Sequence, residues 1–319
     1  MGWFIVDGHQ DIATALLEAP ARDFGQPAPE GQALSLPDAK RGGLGLILGT
    51  IFATEGYWKG ETPTDAAERQ MACYDQLLVK HQADLFRVES RGDLALCRRG
   101  GPIGMLHLME GADPLRSPRE LGRWVERGVR VVGLAWNTPN RWCGGCKDDQ
   151  GVTREGLALL DEMRQLDVLP DLSHLNPRAV DDVLAHHAGC VVASHSNCHA
   201  LRAHRRNLTD SQIRRVAERD GVVGVVLYNP FLAGDEGATL DTVLAHIRHI
   251  ADLVGPDHVA LGSDLDGGFS TKSAPQGIGS VADLRRIGEA LGAHDWPEPS
   301  IEKVMGGNWL RVLRRVLPE

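Results

Sequence analysis

The stretch "WFIVDGHQD", residues 3–11, decides how the rest of the chain is read. Its apolar run from Trp3 to Val6 has the content of a buried strand, and it stops within a few residues of His9 and Asp11. Strand residues two apart face the same way. Two ionisable side chains at that spacing, where a buried strand ends, aim at one point and suit two ligands of one cation.

Comparable segments recur along the 319 residues. Eight short, apolar, β-branched runs are predicted strands: 3–9, 44–53, 102–111, 129–137, 168–174, 190–196, 221–229 and 258–267. Amphipathic stretches predict helices at 64–82, 177–187, 209–219, 239–254, 281–291 and 300–316. Alternation of this kind is the pattern of βα units around a parallel sheet. Eight units in a chain of this length predict an α/β fold, a TIM-like (β/α)8 barrel, with residues 1–319 forming one domain. An open doubly wound sheet is the alternative. The glycine cluster at 42–49 lacks the spacing of a dinucleotide loop and lies within a predicted strand.

A barrel carries its active site at the C-terminal ends of its strands. There the predicted strands end in His9 and Asp11, Glu110, His174, His195, Asp264 and Asp266. These nitrogen and oxygen donors are the kinds that divalent zinc accepts, and manganese, iron or cobalt can take the same set. They outnumber the three or four protein ligands of one catalytic zinc. A carboxylate such as Glu110 has two oxygens and can bridge, so the count favours two ions.

A formal net charge of −9 leaves no basic excess for nucleic acid. The basic clusters at 202–206 and 311–315 read as solvated faces. No apolar run approaches the roughly 20 residues that span a bilayer. A strand starting at Trp3 leaves no room for a signal peptide, so a cytoplasmic protein is expected. The six cysteines do not make a disulfide framework in so long a chain. Cys143 and Cys146 form a single CxxC with no second pair, which reads as a free pair in a loop or an incidental disulfide rather than a metal or redox site. His107 reads as an outward-facing core residue, and His186 and His187 as a solvated helix face. His246 and His249 share a helix without a third partner, and His199 and His204 are loop residues able to line a pocket.

The segments "VDGHQDIA" (6–13), "MEGAD" (109–113), "DLSHLN" (171–176), "SHSNCHALRAHRRNLTD" (194–210), "LGSDLDG" (261–267) and "GGNWLRV" (306–312) resemble, in order, the membrane dipeptidase (renal dipeptidase) family of zinc peptidases, within the metal-dependent amidohydrolase superfamily. The resemblance implies two zinc ions. It makes His9 and Asp11 ligands of one, His174 and His195 ligands of the other, and Glu110 the bridge. It makes Asp264 the proton-transfer group beside a water shared by the ions; Asp266, farther from the strand end, reads as a supporting or loop-structuring residue. Arg206 matches the arginine that grips the substrate's C-terminal carboxylate. It further implies small dipeptide substrates, with a D-residue accepted at the C-terminus, and a homodimer. The sequence departs from the family's mammalian members at Trp136, which stands where a histidine meets the scissile carbonyl. An indole can donate one N–H but carries no positive charge. Asn137 beside it is either a further donor to substrate or a turn residue. A hydrolase of lactones or phosphoesters, and a metal-binding scaffold without catalysis, are the competing readings.

Overall fold

The computed structural model describes residues 2–319. Nine parallel strands form its sheet: β1 (Ile5–Gln10), β2 (Leu44–Phe52), β3 (Leu85–Arg87), β4 (Ile103–Glu110), β5 (Val129–Gly133), β6 (Leu169–Asp171), β7 (Val192–Ala193), β8 (Val222–Val225) and β9 (Val259–Leu261). Eight follow the order β1-β2-β4-β5-β6-β7-β8-β9 and curl, with helices around them, into a nearly closed (β/α)8 barrel. β3 stands outside this circuit. It pairs with Ile103–Met105 of β4, on the edge that β5 occupies from His107 onward.

Side chains sort by strand alternation. Leu46 and Leu48 of β2 and Leu106 and Leu108 of β4 point into the barrel. They meet Val6, Val131, Leu169, Val192, Val222 and Ala260, so every strand of the circuit contributes. Ile47, Ile51, Met105 and Met109 point outward to the helices. The last helix, Asn308–Val316, closes the bottom with Trp309, Val312, Leu313 and Val316. Its polar links confirm the level: Arg311 donates to the carbonyls of Asp220 and Asp257, just ahead of β8 and β9. The Trp309 indole N–H donates to Leu261 O at 2.8 Å. A Cβ on Gly8 would fall 2.2 Å from Cζ2 of that ring. Gly8 is therefore set by packing.

The circuit is joined between β9 and β1 largely by side chains. Buried Asp7 accepts the backbone N–H of Ser263 at 2.8 Å, the Ser263 hydroxyl at 2.6 Å and the Gln10 amide at 2.6 Å. Asp264 N–H reaches His9 O at 3.2 Å. Helix starts follow their sequence signals: Asn176, Thr209 and Thr239 cap the helices Pro177–His186, Asp210–Glu218 and Leu240–Val254. The third helix of the chain starts at Pro63, earlier than predicted, because the Thr62 side chain accepts from Asp65 N–H. Among the described residues no helix is long and apolar enough to cross a membrane.

Trp309→Ala empties the plug and should cost about 3–5 kcal/mol of stability, measured as a loss in the denaturation midpoint. Gly8→Ala should cost about 1–3 kcal/mol by overpacking against the same ring. The double variant should lose less than the sum, because the methyl then enters the space the indole left.

Candidate metal centre

Each residue at the mouth of the barrel arrives from the end of a strand. Glu110 is the last residue of β4, directly above Leu106 and Leu108 in the inward-facing row. His9 comes from β1 and His195 follows β7. Asp11 lies beyond the strand, as the residue before the helix Ile12–Glu18. The β1–β2 register also slips between Asp7 and Gln10. So His9 and Asp11 meet because a bulge and a turn aim them, and not by simple alternation. His174 and Asp264 sit in left-handed backbone, at φ 69° and 57°, a conformation that strands rarely end in and that clusters at functional sites. Gly267 makes room for the second of these, since a Cβ there would meet Asp264 Oδ1 at 2.0 Å.

Glu110 Oε1 is the hub. It lies 2.8 Å from His174 Nε2 and 3.5 Å from the Nε2 atoms of both His9 and His195. His174 Nε2 and His195 Nε2 are 2.7 Å apart. On the other side, His9 Nε2 is 4.0 Å from Asp11 Oδ2 and 4.0 Å from Asp264 Oδ1. The structure thus brings together all six of His9, Asp11, Glu110, His174, His195 and Asp264. The sets Glu110–His174–His195 and His9–Asp11–Asp264 each place their ligand atoms within 4.8 Å of one another.

Two buried atoms here lack any hydrogen-bond partner, His9 Nε2 and Asp11 Oδ1. Burial holds His9 down to about 3, with Arg206 pushing the same way, and holds His174 and His195 well below the usual histidine range. Burial, then repulsion from Asp266 and Glu18, raises Asp11 to about 7. Burial, then Asp11, raises Glu110 and Asp264 well above the usual carboxylate range. Neutral imidazoles offer lone pairs, and crowded carboxylates lack a counter-charge. One or two divalent cations would satisfy both, so the donor set fits the zinc centre expected from the sequence.

A cavity of about 860 Å³ opens over the cluster, bordered by Asp11, Glu110, His174, Asp264, Trp136, Asn137 and Arg206 among others. Its size is ample for a small ligand. Arg206 closes the cluster 202–206, which is no solvated face at this point: the side chain is buried because the strand-end loop folds inward. Its Nη2 donates to His195 O at 3.2 Å, its guanidinium stands 5.3 Å from the Phe231 ring, and its Nε–H has no partner. A buried cation with a free donor beside a cavity is built for an anion.

Trp136 packs 5.0 Å from Phe52 and 5.8 Å from His174 in the cavity wall. Asn137 borders the cavity, and its Oδ1 lies 2.9 Å from His174 Nδ1. That acceptor keeps the proton of His174 on Nδ1 and leaves Nε2 free for the cluster. Sequence reasoning missed this link; the signal available was an asparagine just past a strand end. Asp266 does not reach the cluster and instead pairs with Arg22 at 2.5 Å and accepts Ala33 N–H at 3.0 Å.

Cys143 and Cys146 are free thiols. Cys146 donates to Asn137 Oδ1 at 3.0 Å. His107 is buried on the outer face against Tyr74, with ring centroids 4.7 Å apart. His204 lines the cavity and His199 does not. His246 is buried and accepts Cys198 N–H, and His249 pairs with Asp210. His186 is exposed as expected. His187 is not: it ends its helix and turns inward, so its ring is buried.

The sequence model of the membrane dipeptidase family (peptidase family M19) matches residues 2–317. A Klebsiella pneumoniae protein from the pqqA 5′ region is 35% identical over 267 residues, which are 80% of this chain and 97% of that protein. A Schizosaccharomyces pombe protein named as a dipeptidase is 30% identical over 81% of this chain, which spans 65% of its length. Among solved structures, a Rhodobacter sphaeroides metallopeptidase bound to a phosphinate mimic of the dipeptide L-Ala-D-Ala superposes with a TM-score of 0.91. It is 26% identical, with 99% of this chain and 100% of that one covered.

Asp11 gives the pH test of the cluster. Its folded pKa near 7 exceeds the model-compound value of 3.8. In metal-free protein its contribution to stability is therefore full below that lower value and is lost as pH rises through about 7. Asp11→Asn should raise the thermal midpoint of chelated protein by several degrees at pH 8, change it little at pH 4, and weaken divalent-metal binding. Thermal scans at the two pH values check this, and a lower midpoint at pH 8 would overturn it.

Proposed function

The chain belongs to the membrane dipeptidase family, and from that membership and the cluster geometry we propose that it is a binuclear zinc dipeptidase. Its substrates are dipeptides with a free C-terminal carboxylate, including those ending in a D-residue. The carrying observation is Arg206, a buried guanidinium with an unpartnered Nε–H that borders the same cavity as Glu110 and Asp264. It marks where the substrate's carboxylate ends and so limits how much chain can lie between that end and the cluster.

In this reading His9 and Asp11 would hold one zinc and His174 and His195 the other, with Glu110 available to both. Zinc bound there would lower the pKa of a water and polarise the scissile carbonyl. Asp264 takes the proton from the attacking water and returns it to the leaving amine, work suited to a carboxylate that borders both the cluster and the cavity. Arg206 fixes the carboxylate and with it the distance of the peptide carbonyl from the cluster. Trp136 and Phe52 form an apolar wall and bring no cationic group to the scissile carbonyl. Acceptance of a D-residue is supported by the L-Ala-D-Ala mimic held by the Rhodobacter sphaeroides relative.

Purified protein of known zinc content, assayed against a matrix of L,L and L,D dipeptides, tests the reading directly. Zinc-loaded protein that cleaves none of them would overturn it. Asp264→Asn should keep the metal and lower kcat about 10²–10⁴-fold. Arg206→Leu should raise KM for dipeptides about 10–100-fold, the range expected for lost charge-assisted hydrogen bonds. The same change should barely move the KM of substrates whose C-terminus is blocked as an amide; an equal rise for both would remove Arg206 from carboxylate recognition.

A further inference from the structure

His174 has its own outer partner in Asn137, but His9 and His195 share one. The Ser194 hydroxyl lies 2.8 Å from His195 Nδ1, 3.3 Å from His9 Nδ1 and 2.5 Å from Asp171 Oδ2, and the residue is fully buried. A serine hydroxyl has one hydrogen and two lone pairs. Asp171 decides where the hydrogen goes. Its Oδ1 already accepts the backbone N–H groups of Ser173 and Ser194 at 3.0 and 2.8 Å. Burial raises the Asp171 pKa, but its hydrogen-bond donors favour the charged form, in which Oδ2 accepts the Ser194 hydrogen. The other neighbour, Ser173 Oγ, is 3.4 Å away, and the single hydrogen goes to the much nearer Asp171 Oδ2 at 2.5 Å.

Two lone pairs of Ser194 Oγ then face two imidazole nitrogens. Each can be satisfied only by an N–H. His9 and His195 therefore carry their protons on Nδ1, and their Nε2 lone pairs turn towards Glu110 Oε1, 3.5 Å from each. Asp171 also lies within 4.8 Å of the ligand atoms of His9 and His195, but with both oxygens occupied by donors it acts on the cluster through the serine.

We propose that Ser194, held by Asp171, is a positioning residue that sets the tautomers of His9 and His195 together and so ties the affinities of both metal positions to one hydroxyl. The inference rests on the ligand assignment under the proposed function, with His9 serving one ion and His195 the other. It does not depend on the substrate.

The test is competition of zinc-loaded protein with a chelating indicator, which reads two zinc affinities. Loss of an outer partner of a histidine ligand typically weakens binding about 10–100-fold. Ser194→Ala should weaken both affinities by that factor, whereas Asn137→Ala should weaken only one. Two unchanged affinities in Ser194→Ala, or a change in only one, would overturn the proposal. A second measurement needs no variant. Nitrogen NMR of ¹⁵N-histidine-labelled wild-type protein after zinc removal should show His9 and His195 as Nδ1–H tautomers at pH 8, and an Nε2–H signal from either would refute the assignment. Wild-type protein that binds two zinc ions and passes these tests but cleaves no dipeptide would overturn the dipeptidase reading alone. Protein that takes up no divalent metal would overturn both.

Discussion

Three imidazole nitrogens stand within 3.5 Å of one oxygen of Glu110, and two further carboxylates, Asp11 and Asp264, close the far side of His9. All are drawn out of water at the mouth of the barrel. Burial pushes the acids towards their protonated forms and the histidines towards neutrality, so the cluster is short of positive charge. A divalent cation bound there would supply the missing positive charge and offset these repulsions. The remaining architecture serves to keep the donors close enough for that, against their mutual repulsion when no cation is bound.

The barrel does this by separating two tasks along its axis. Below the cluster, leucine, valine and alanine from the strands of the circuit fill the interior, and Trp309 seals it against Gly8. Above, the chain leaves each strand in conformations that aim polar groups at one point, including left-handed backbone at His174 and Asp264. The strain at these two residues is tolerable because the layer beneath is rigid. Arg206 and the aromatic wall then give the cavity one charged end and one apolar side.

Much of this was legible in the sequence. Each strand of the circuit carries a short apolar run, and five of the eight predicted strands end in His, Asp or Glu, so both the barrel and the polar residues gathered at its mouth follow from local pattern. Caps such as Asn176 and Thr209 announced their helices. What stayed hidden depends on tertiary partners. β3 has three residues, too few to show a period. The helix Arg154–Gln165 follows a long loop and went unread, although Thr153 caps it. Burial of Arg206 and His187 is decided by what packs over them. The bulge that redirects His9 lies in the pairing of β1 with β2, and no single strand encodes it. Nothing in the sequence marks Ser194, because one of its two imidazole neighbours, His9, lies 185 residues away.

The seam between the first and last strands sets an order of events during biosynthesis. Asp7 waits for Ser263, 256 residues later, before its carboxylate finds its donors, and Gly8 stays uncovered until Trp309 has been made. A nascent chain that has not reached Ser263 presents β1 with its acid unpartnered, and one that has passed Ser263 but lacks the helix Asn308–Val316 still leaves Gly8 bare. Until Ser263 is made, His9 and Asp11 lie on an unsecured strand. The fastening of β1 thus comes before its floor, and a product truncated ahead of the last helix keeps the first and is deprived of the second.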